Sequence, residues 1–160
     1  MIRRCNVGDF QNIWAVINDG ARAYIGVIPK EQLHHPYMTV DELQCEIESG
    51  VDFWCYEENG ALLAVMGLQQ VKDVTLIRHA YVRTASQKRG LGSKLLLFLQ
   101  EHTLGPLLVG TWAASNWAIR FYQKHNFRLV SPNERDRLLK TYWTVPEQQI
   151  KASVVLIQMA

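Results

Sequence analysis

Cysteine is scarce in this chain of 160 residues: Cys5, Cys45 and Cys55 are the whole complement, and no two of them form a CxxC pair. An odd number without paired spacing excludes a disulfide framework and points to reduced, mostly buried thiols. No cysteine or histidine spacing suits zinc, so no metal is expected. Long apolar runs are also missing, since a membrane span needs about 18 apolar residues in succession. The opening MIRRCNVGDF lacks the apolar stretch of a signal peptide. Neither sign of charge dominates. Seventeen Lys and Arg against fifteen Asp and Glu leave a net charge of +2, too little for a protein whose affinity would rest on phosphate neutralisation. The five tryptophans show no ordered spacing with basic residues that would stack bases. The expectation is a soluble cytoplasmic protein that engages neither membrane nor nucleic acid. Linkers, repeats and low-complexity tracts are lacking too. One domain over residues 1–160 follows, long enough to bury roughly 70% of the surface of its unfolded chain.

What is present is ordinary globular composition, 48% hydrophobic and 20% charged, arranged with clear periods. IRRC reads as a short strand. After it Asp9 is placed to cap a helix whose apolar residues Phe10, Ile13, Trp14 and Ile17 share one face. Thr39 and Glu42 have capping-box spacing ahead of Leu43 and Ile47, which predicts a second helix over 40–49 that stops at Gly50. DFWCYEENGALLAVMGLQQV is a pair of apolar runs around Asn59-Gly60, a hairpin signal, and VTLIRHAYV is a further strand. A mostly apolar helix runs from Leu91 to His102, and LLVGTWA after Gly105-Pro106 is a buried strand. Residues 116 to 125 form an amphipathic helix with Ala118, Phe121, Tyr122 and His125 on one stripe, Ser115 or Asn116 as its cap and Asn126 in the left-handed turn at its end. FRLV and ASVVLIQM supply two more strands, with the polar SPNERDRLLKTYWTVPEQQ between them. The predicted order is β, α, α, β, β, β, α, β, α, β, β, an α/β protein with helices on both faces of a mixed sheet of about seven strands.

The stretch YVRTASQKRGLGSKLLLFLQ, residues 81–100, carries the chemistry. The chain leaves a strand at Val82 and enters a helix near Gly90. The first turn of a helix leaves its backbone N–H groups unpaired, and with the macrodipole this favours an anion. Gly90 and Gly92 let the backbone approach a large anion, and Lys88 and Arg89 add charge. Several convergent N–H groups and two cations suit a diphosphate better than a single carboxylate. Tight strand-to-helix packing is the other reading of such a pair of glycines. The fingerprints GxGxxG and GxxxxGK[ST] are absent, which disfavours dinucleotide and Walker-type sites.

QKRGLG, Gln87 to Gly92, resembles the Q/RxxGxG/A motif of the GNAT superfamily of N-acetyltransferases, which lies between the fourth strand and the third helix. A second block, GTWAASNWAIRFYQKHNF, is similar to the family's later strand and Asn-led helix bearing FY. The resemblance covers essentially the whole chain and implies a GNAT-like fold with acetyl-CoA as co-substrate. It places the cofactor diphosphate on Gln87, Lys88, Arg89, Gly90, Leu91 and Gly92, with Ser93 opening the helix. It sets the pantetheine arm beside Ala80, Tyr81, Val82 and Arg83, with an amide near Tyr81 to polarise the carbonyl, and it makes Asn116 a cofactor contact. Tyr122 matches the family's thiolate acid, although its place on the apolar stripe also fits a core aromatic.

The base is less defined by the sequence. Deprotonating a lysine-like amine near neutral pH costs about 4 kcal/mol. Many relatives use a strand-four glutamate, and VTLIRHAYV has none. A water relay or an already neutral amine is the preferred reading, with His79, the titratable residue in reach, as the candidate side-chain base. Strand alternation predicts that Arg78 and His79 point to opposite faces. Two departures from the family pattern are visible: Thr84 stands where proline is frequent, which is expected to loosen that turn, and Asn126 replaces a common glycine. Acceptor selection is expected in AYIGVIPKEQLHHPYM, with Tyr24, Glu31, His34, His35 and Tyr37 as candidates, although His-His beside proline also reads as a solvated turn. NERDRLLKTYW reads as a solvated face, or else as a lid or a homodimer contact. The reaction implied is acetyl transfer to a primary amine of a small molecule, peptide or protein. The competing reading is a catalytically silent acyl-CoA sensor.

Overall fold

The computed structural model describes residues 1–159. Its elements are β1 (Ile2–Arg4), α1 (Phe10–Gly20), α2 (Val40–Glu48), β2 (Asp52–Glu58), β3 (Ala61–Val71), β4 (Val74–Val82), α3 (Leu91–His102), β5 (Leu107–Trp112), α4 (Asn116–Lys124), β6 (Arg128–Leu129), α5 (Pro132–Tyr142), α6 (Glu147–Lys151) and β7 (Ser153–Gln158). The seven strands form one mixed sheet in the order β1-β2-β3-β4-β5-β7-β6. By contacts the chain divides into two compact units, one of residues 1–69 with 77–102, the other of residues 70–76 with the chain from 103 onward.

The core of the first unit follows the apolar stripes of its helices. Ile13, Val16 and Ile17 of α1 and Leu43 of α2 pack with Phe53 and Cys55 of β2 and Leu62 and Val65 of β3. Phe10 and Trp14 are partly buried against that cluster. Each fully buried aliphatic side chain contributes about 1.5–3 kcal/mol. Helix α2 begins with the expected capping box: Thr39 Oγ1 accepts from the Glu42 N–H at 3.1 Å, and Glu42 Oε1 accepts from the Thr39 N–H at 3.4 Å. Asn59 and Gly60 have φ of +52° and +80°, which makes the β2–β3 hairpin turn.

The start of α1 differs from the sequence expectation. Asn6 caps a short 3-10 turn over Val7–Asp9, and Asp9 gives α1 no side-chain cap. Its carboxylate instead accepts from Arg3 Nη1 at 2.8 Å, Arg3 Nη2 at 3.0 Å and the Asn6 N–H at 2.8 Å. The helical segment starts three residues earlier than expected, so Asp9 is the third residue of the capping box that Asn6 opens, and Arg3 pairs with the same carboxylate. The three thiols are free, as expected, but Cys45 is exposed; Cys55 is buried and Cys5 lies between.

The second unit holds the larger correction. Two helices, α5 and α6, occupy the segment between β6 and β7, where the sequence predicts only a polar connection. Ser131 caps α5 by accepting from the Glu134 N–H at 3.3 Å, with Pro132 in the first turn. Leu138 and Leu139 of α5 and Ile150 of α6 join Val74, Leu76, Leu108, Val130 and Val155 in the core. Two adjacent leucines turned inward are enough to dock a helix whose remaining face is charged.

Candidate functional site

In the first unit the chemistry gathers along β4 and the turn after it. His79 sits inside this strand with φ of +56°, a left-handed conformation that a non-glycine residue holds at a cost of about 1–3 kcal/mol. That single residue breaks the pleat. Arg78 and His79 therefore do not diverge as alternation predicts but both address Glu46 of α2. Arg78 Nη2 donates to Glu46 Oε1 at 3.2 Å, and His79 Nε2 lies 3.4 Å from Glu46 Oε2. The second contact is an electrostatic one, since buried His79 Nε2 has no hydrogen-bond partner. Arg78 Nη1 also donates to Gln69 Oε1 at 2.8 Å, and the His79 ring stacks on Phe53 at 6.2 Å between centroids. Burial acts to raise the Glu46 carboxyl, but the neighbouring His79 and Arg78 outweigh it and hold the group below the ordinary carboxylate range.

Gly67 of β3 makes room for this break. A Cβ there would stand 2.9 Å from the Arg78 carbonyl oxygen and 2.7 Å from Val51 Cγ1, so any side chain forces the strands apart. A glycine inside a strand signals close backbone approach, and that signal at Gly67 is not part of the hairpin reading of the sequence. Glu46 carried no such signal, because its partners are remote in sequence and meet it only through the fold.

Further along β4, Tyr81 meets Tyr24 edge-on at 6.3 Å and Tyr37 at 6.1 Å, and Tyr24 stacks on Tyr37 at 5.9 Å. The acceptor candidates thus divide. Tyr24 and Tyr37 are partly buried beside the β4 tyrosine, whereas Glu31, His34 and His35 are exposed. The segment is tied to α1: Trp14 Nε1 donates to the Met38 carbonyl at 2.8 Å, and Asn18 Oδ1 accepts from the Met38 N–H at 3.0 Å. Ala80, Val82 and Arg83 are partly buried. The Arg83 N–H donates to the Leu63 carbonyl at 2.9 Å, and its Nε to the Leu62 carbonyl at 2.7 Å.

The glycine-bearing turn is pinned at its start rather than loosened. The Thr84 N–H donates to Asp19 Oδ2 at 2.7 Å and its hydroxyl reaches the same carboxylate at 2.8 Å. A proline could supply neither bond. Burial tends to raise the Asp19 carboxyl, but the bonds from Thr84 and the charge of Arg22 bring it below its ordinary value. After a 3-10 turn over Thr84–Ser86, Lys88 and Gly90 adopt φ of +66° and +75°. Two left-handed residues around Arg89 turn the chain sharply into α3, whose first residue Leu91 is 2% exposed and anchors the turn to the core. Gln87, Lys88, Arg89 and Gly90 are exposed, and Gly92 and Ser93 partly so. Two of the nearby cations have partners within the chain: Arg89 Nη2 donates to Glu58 Oε2 at 2.6 Å, and Lys94 Nζ lies 5.8 Å from the Tyr56 ring centroid. The Arg89–Glu58 pair is open to solvent, and such pairs are worth about 0–1 kcal/mol, so an anion can redirect Arg89 at little cost.

In the second unit Tyr122 is 5% exposed. Its ring packs edge-on against Phe121 at 5.1 Å and Phe127 at 5.4 Å. Asn116 is the exposed first residue of α4. Ser115 precedes it without capping, because its hydroxyl donates to the Trp112 carbonyl at 2.6 Å. Asn126 takes φ of +69°, the conformation expected after this helix. Among the described residues no group of three or more His, Cys, Asp or Glu side chains could hold a metal ion, and no helix is long and apolar enough to cross a membrane.

Comparison with known proteins gives a consistent result. Residues 49–129 match the family described as the acetyltransferase (GNAT) domain. No curated protein sequence matches the chain. Among solved structures, the PaiA N-acetyltransferase of Thermoplasma acidophilum in complex with coenzyme A superposes with a TM-score of 0.74 at 13% identity, covering 100% of this chain and 98% of that one. The ribosomal-protein-alanine N-acetyltransferase of Brucella melitensis gives 0.69 at 14% identity, covering 100% and 99%. N-acetylglutamate synthase of Neisseria gonorrhoeae, complexed with coenzyme A and N-acetyl-glutamate, gives 0.66 at 20% identity, covering 99% of this chain and 34% of that one.

Proposed function

The chain belongs to the GNAT family of acetyltransferases, and on that premise we propose that it moves an acetyl group from acetyl-CoA to a primary amine of a small molecule, peptide or protein. The observation that carries this reading is the turn from β4 into α3. Lys88 and Gly90 are both left-handed there and the turn is anchored at Thr84 and Leu91. Its backbone N–H groups have the freedom to converge on a diphosphate, and the helix terminus favours the charge.

Each residue has a distinct task in this reading. The amides of Lys88, Arg89, Gly90, Leu91 and Gly92 grip the diphosphate beside Gln87, whose own N–H donates to the Thr84 carbonyl at 3.4 Å, with Ser93 opening the helix beneath it. Ala80, Tyr81, Val82 and Arg83 align the pantetheine arm by strand-like hydrogen bonding, and Asn116 is a further cofactor contact. An amide near Tyr81 stabilises the carbonyl oxygen as it becomes anionic. His79 accepts the proton that the amine loses, and Tyr122 supplies one to the departing thiolate. Two similar structures bear names or ligands with an acylated amino-acid nitrogen, alanine in one and glutamate in the other, which supports an amino-group acceptor. An α-amine with a pKa of about 7.7–8.0 demands far less of a base than a lysine does.

The test is thiol release from acetyl-CoA over a panel of α-amines, aliphatic amines and arylamines, wild type against Tyr122→Phe. Turnover that falls in the variant supports the proposal. Tight CoA binding without turnover on any amine assigns the chain to a silent acyl-CoA sensor instead.

A further inference from the structure

We propose that Glu46 is a positioning residue for His79: it holds the ring proton on Nε2, so that Nδ1 is the atom that accepts the proton of the incoming amine. The inference rests on the acetyltransferase reading for its chemistry, but its geometric half stands without it. Glu46 comes from α2 and His79 from β4, and the two meet only because the left-handed φ of +56° at His79 turns its ring toward the helix.

The tautomer follows from electrostatics. Nε2 is buried, lies 3.4 Å from Glu46 Oε2 and has no hydrogen-bond partner. A lone pair held there would face a carboxylate and be repelled, whereas an N–H would be attracted, and burial magnifies the difference. Arg78 fixes the carboxylate from the other side, donating to Glu46 Oε1 at 3.2 Å while Gln69 accepts its second nitrogen at 2.8 Å. Phe53 supports the ring face at 6.2 Å. Thus the charged group placed against Nε2 is the Glu46 carboxylate, itself paired with the Arg78 guanidinium.

The proton balance is simple. As the ammonium N–H breaks, a new N–H forms at Nδ1 and the freed amine lone pair is available to the acetyl carbonyl. The resulting imidazolium keeps its Nε2–H toward Glu46, whose negative charge stabilises the new positive one. This is the general logic by which a carboxylate orients a histidine. It also explains why the strand tolerates a strained residue at this position: without the break, His79 would point away from α2.

The test reads the tautomer first. Long-range proton–nitrogen NMR of the 15N-labelled full chain, with the His79 ring assigned by its loss in His79→Gln, is expected to show the neutral ring protonated at Nε2. Glu46→Ala is expected to erase that preference, and Glu46→Gln, which keeps an oxygen acceptor, to retain it. In turnover Glu46→Ala is expected to lower kcat by about tenfold to a hundredfold with the KM for acetyl-CoA unchanged, and to add nothing in the His79→Gln background. A wild-type ring protonated at Nδ1, a tautomer unmoved by Glu46→Ala, or an unchanged kcat overturns the inference. Should Glu46→Ala fail to fold, the wild-type tautomer and Glu46→Gln still decide. Absence of turnover in the wild type would instead sink the acetyltransferase reading and leave the tautomer measurement intact.

Discussion

The N–H and hydroxyl of Thr84 both donate to the carboxylate of Asp19, at 2.7 and 2.8 Å. This ties the end of α1 to the entry of the glycine-bearing turn. The position where the family resemblance leads one to expect proline is therefore a hydrogen-bonded clamp. Asp19→Ala is expected to cost about 1–3 kcal/mol of stability by leaving these donors unpaired, which thermal unfolding measures as a drop of some 2–4 °C per kcal/mol. CoA binding should weaken along with it.

Gly67 faces the Arg78 carbonyl, and a Cβ there would approach it to 2.9 Å. Gly67→Ala is expected to destabilise the fold by about 1–3 kcal/mol through overpacking. It should also disturb the His79 ring signal by shifting β4 against β3. Denaturant unfolding and the His79 spectrum check the two effects separately.

Asp9 is held below the ordinary carboxylate range, chiefly by its bonds to Arg3 and secondarily by the Asn6 N–H, against the opposing effect of burial. A carboxyl whose pKa falls on folding stabilises the protein above its unfolded value, about 3.9, and that stability is lost as pH falls through the lower folded value. Asp9→Asn should therefore be less stable than wild type at neutral pH. The gap should narrow as the pH drops below about 4, measurable by urea unfolding across a pH series.

Tyr122→Phe removes only the phenol oxygen from a ring packed between Phe121 and Phe127, so the fold should survive. Loss of a general acid is expected to reduce kcat by about a hundredfold or more while CoA affinity is kept. A stability loss with unchanged kcat would mark Tyr122 as a core aromatic alone.

Local signals placed most of the fold. The capping box at Thr39 and Glu42, the Asn59-Gly60 turn and the apolar period of α3 each appear where their residues predict. The same kind of signal was available for α5, where Ser131, Pro132 and Glu134 make an N-terminal cap, but the charges that follow masked the two inward leucines. Asp9 misled because a 3-10 turn capped by Asn6 precedes the helix and makes Asp9 the third residue of that turn's capping box. The glycine-bearing turn was legible since its chemistry lies in consecutive residues. Glu46 with Arg78 and His79, and Asp19 with Thr84, were not, because each joins elements distant along the chain. Alternation also failed at His79, where one left-handed residue reverses the side-chain direction that a regular strand would give.

The most direct test of the central claim is calorimetric titration of CoA into the wild-type chain and into Gly92→Leu, a change within the first turn of α3 that, on the proposed function, sets a side chain in the path of the diphosphate. The account predicts binding by the wild type and at least a tenfold weaker affinity in the folded variant, a difference of about 1.4 kcal/mol. No binding by the wild type, or equal affinity in both, would contradict it.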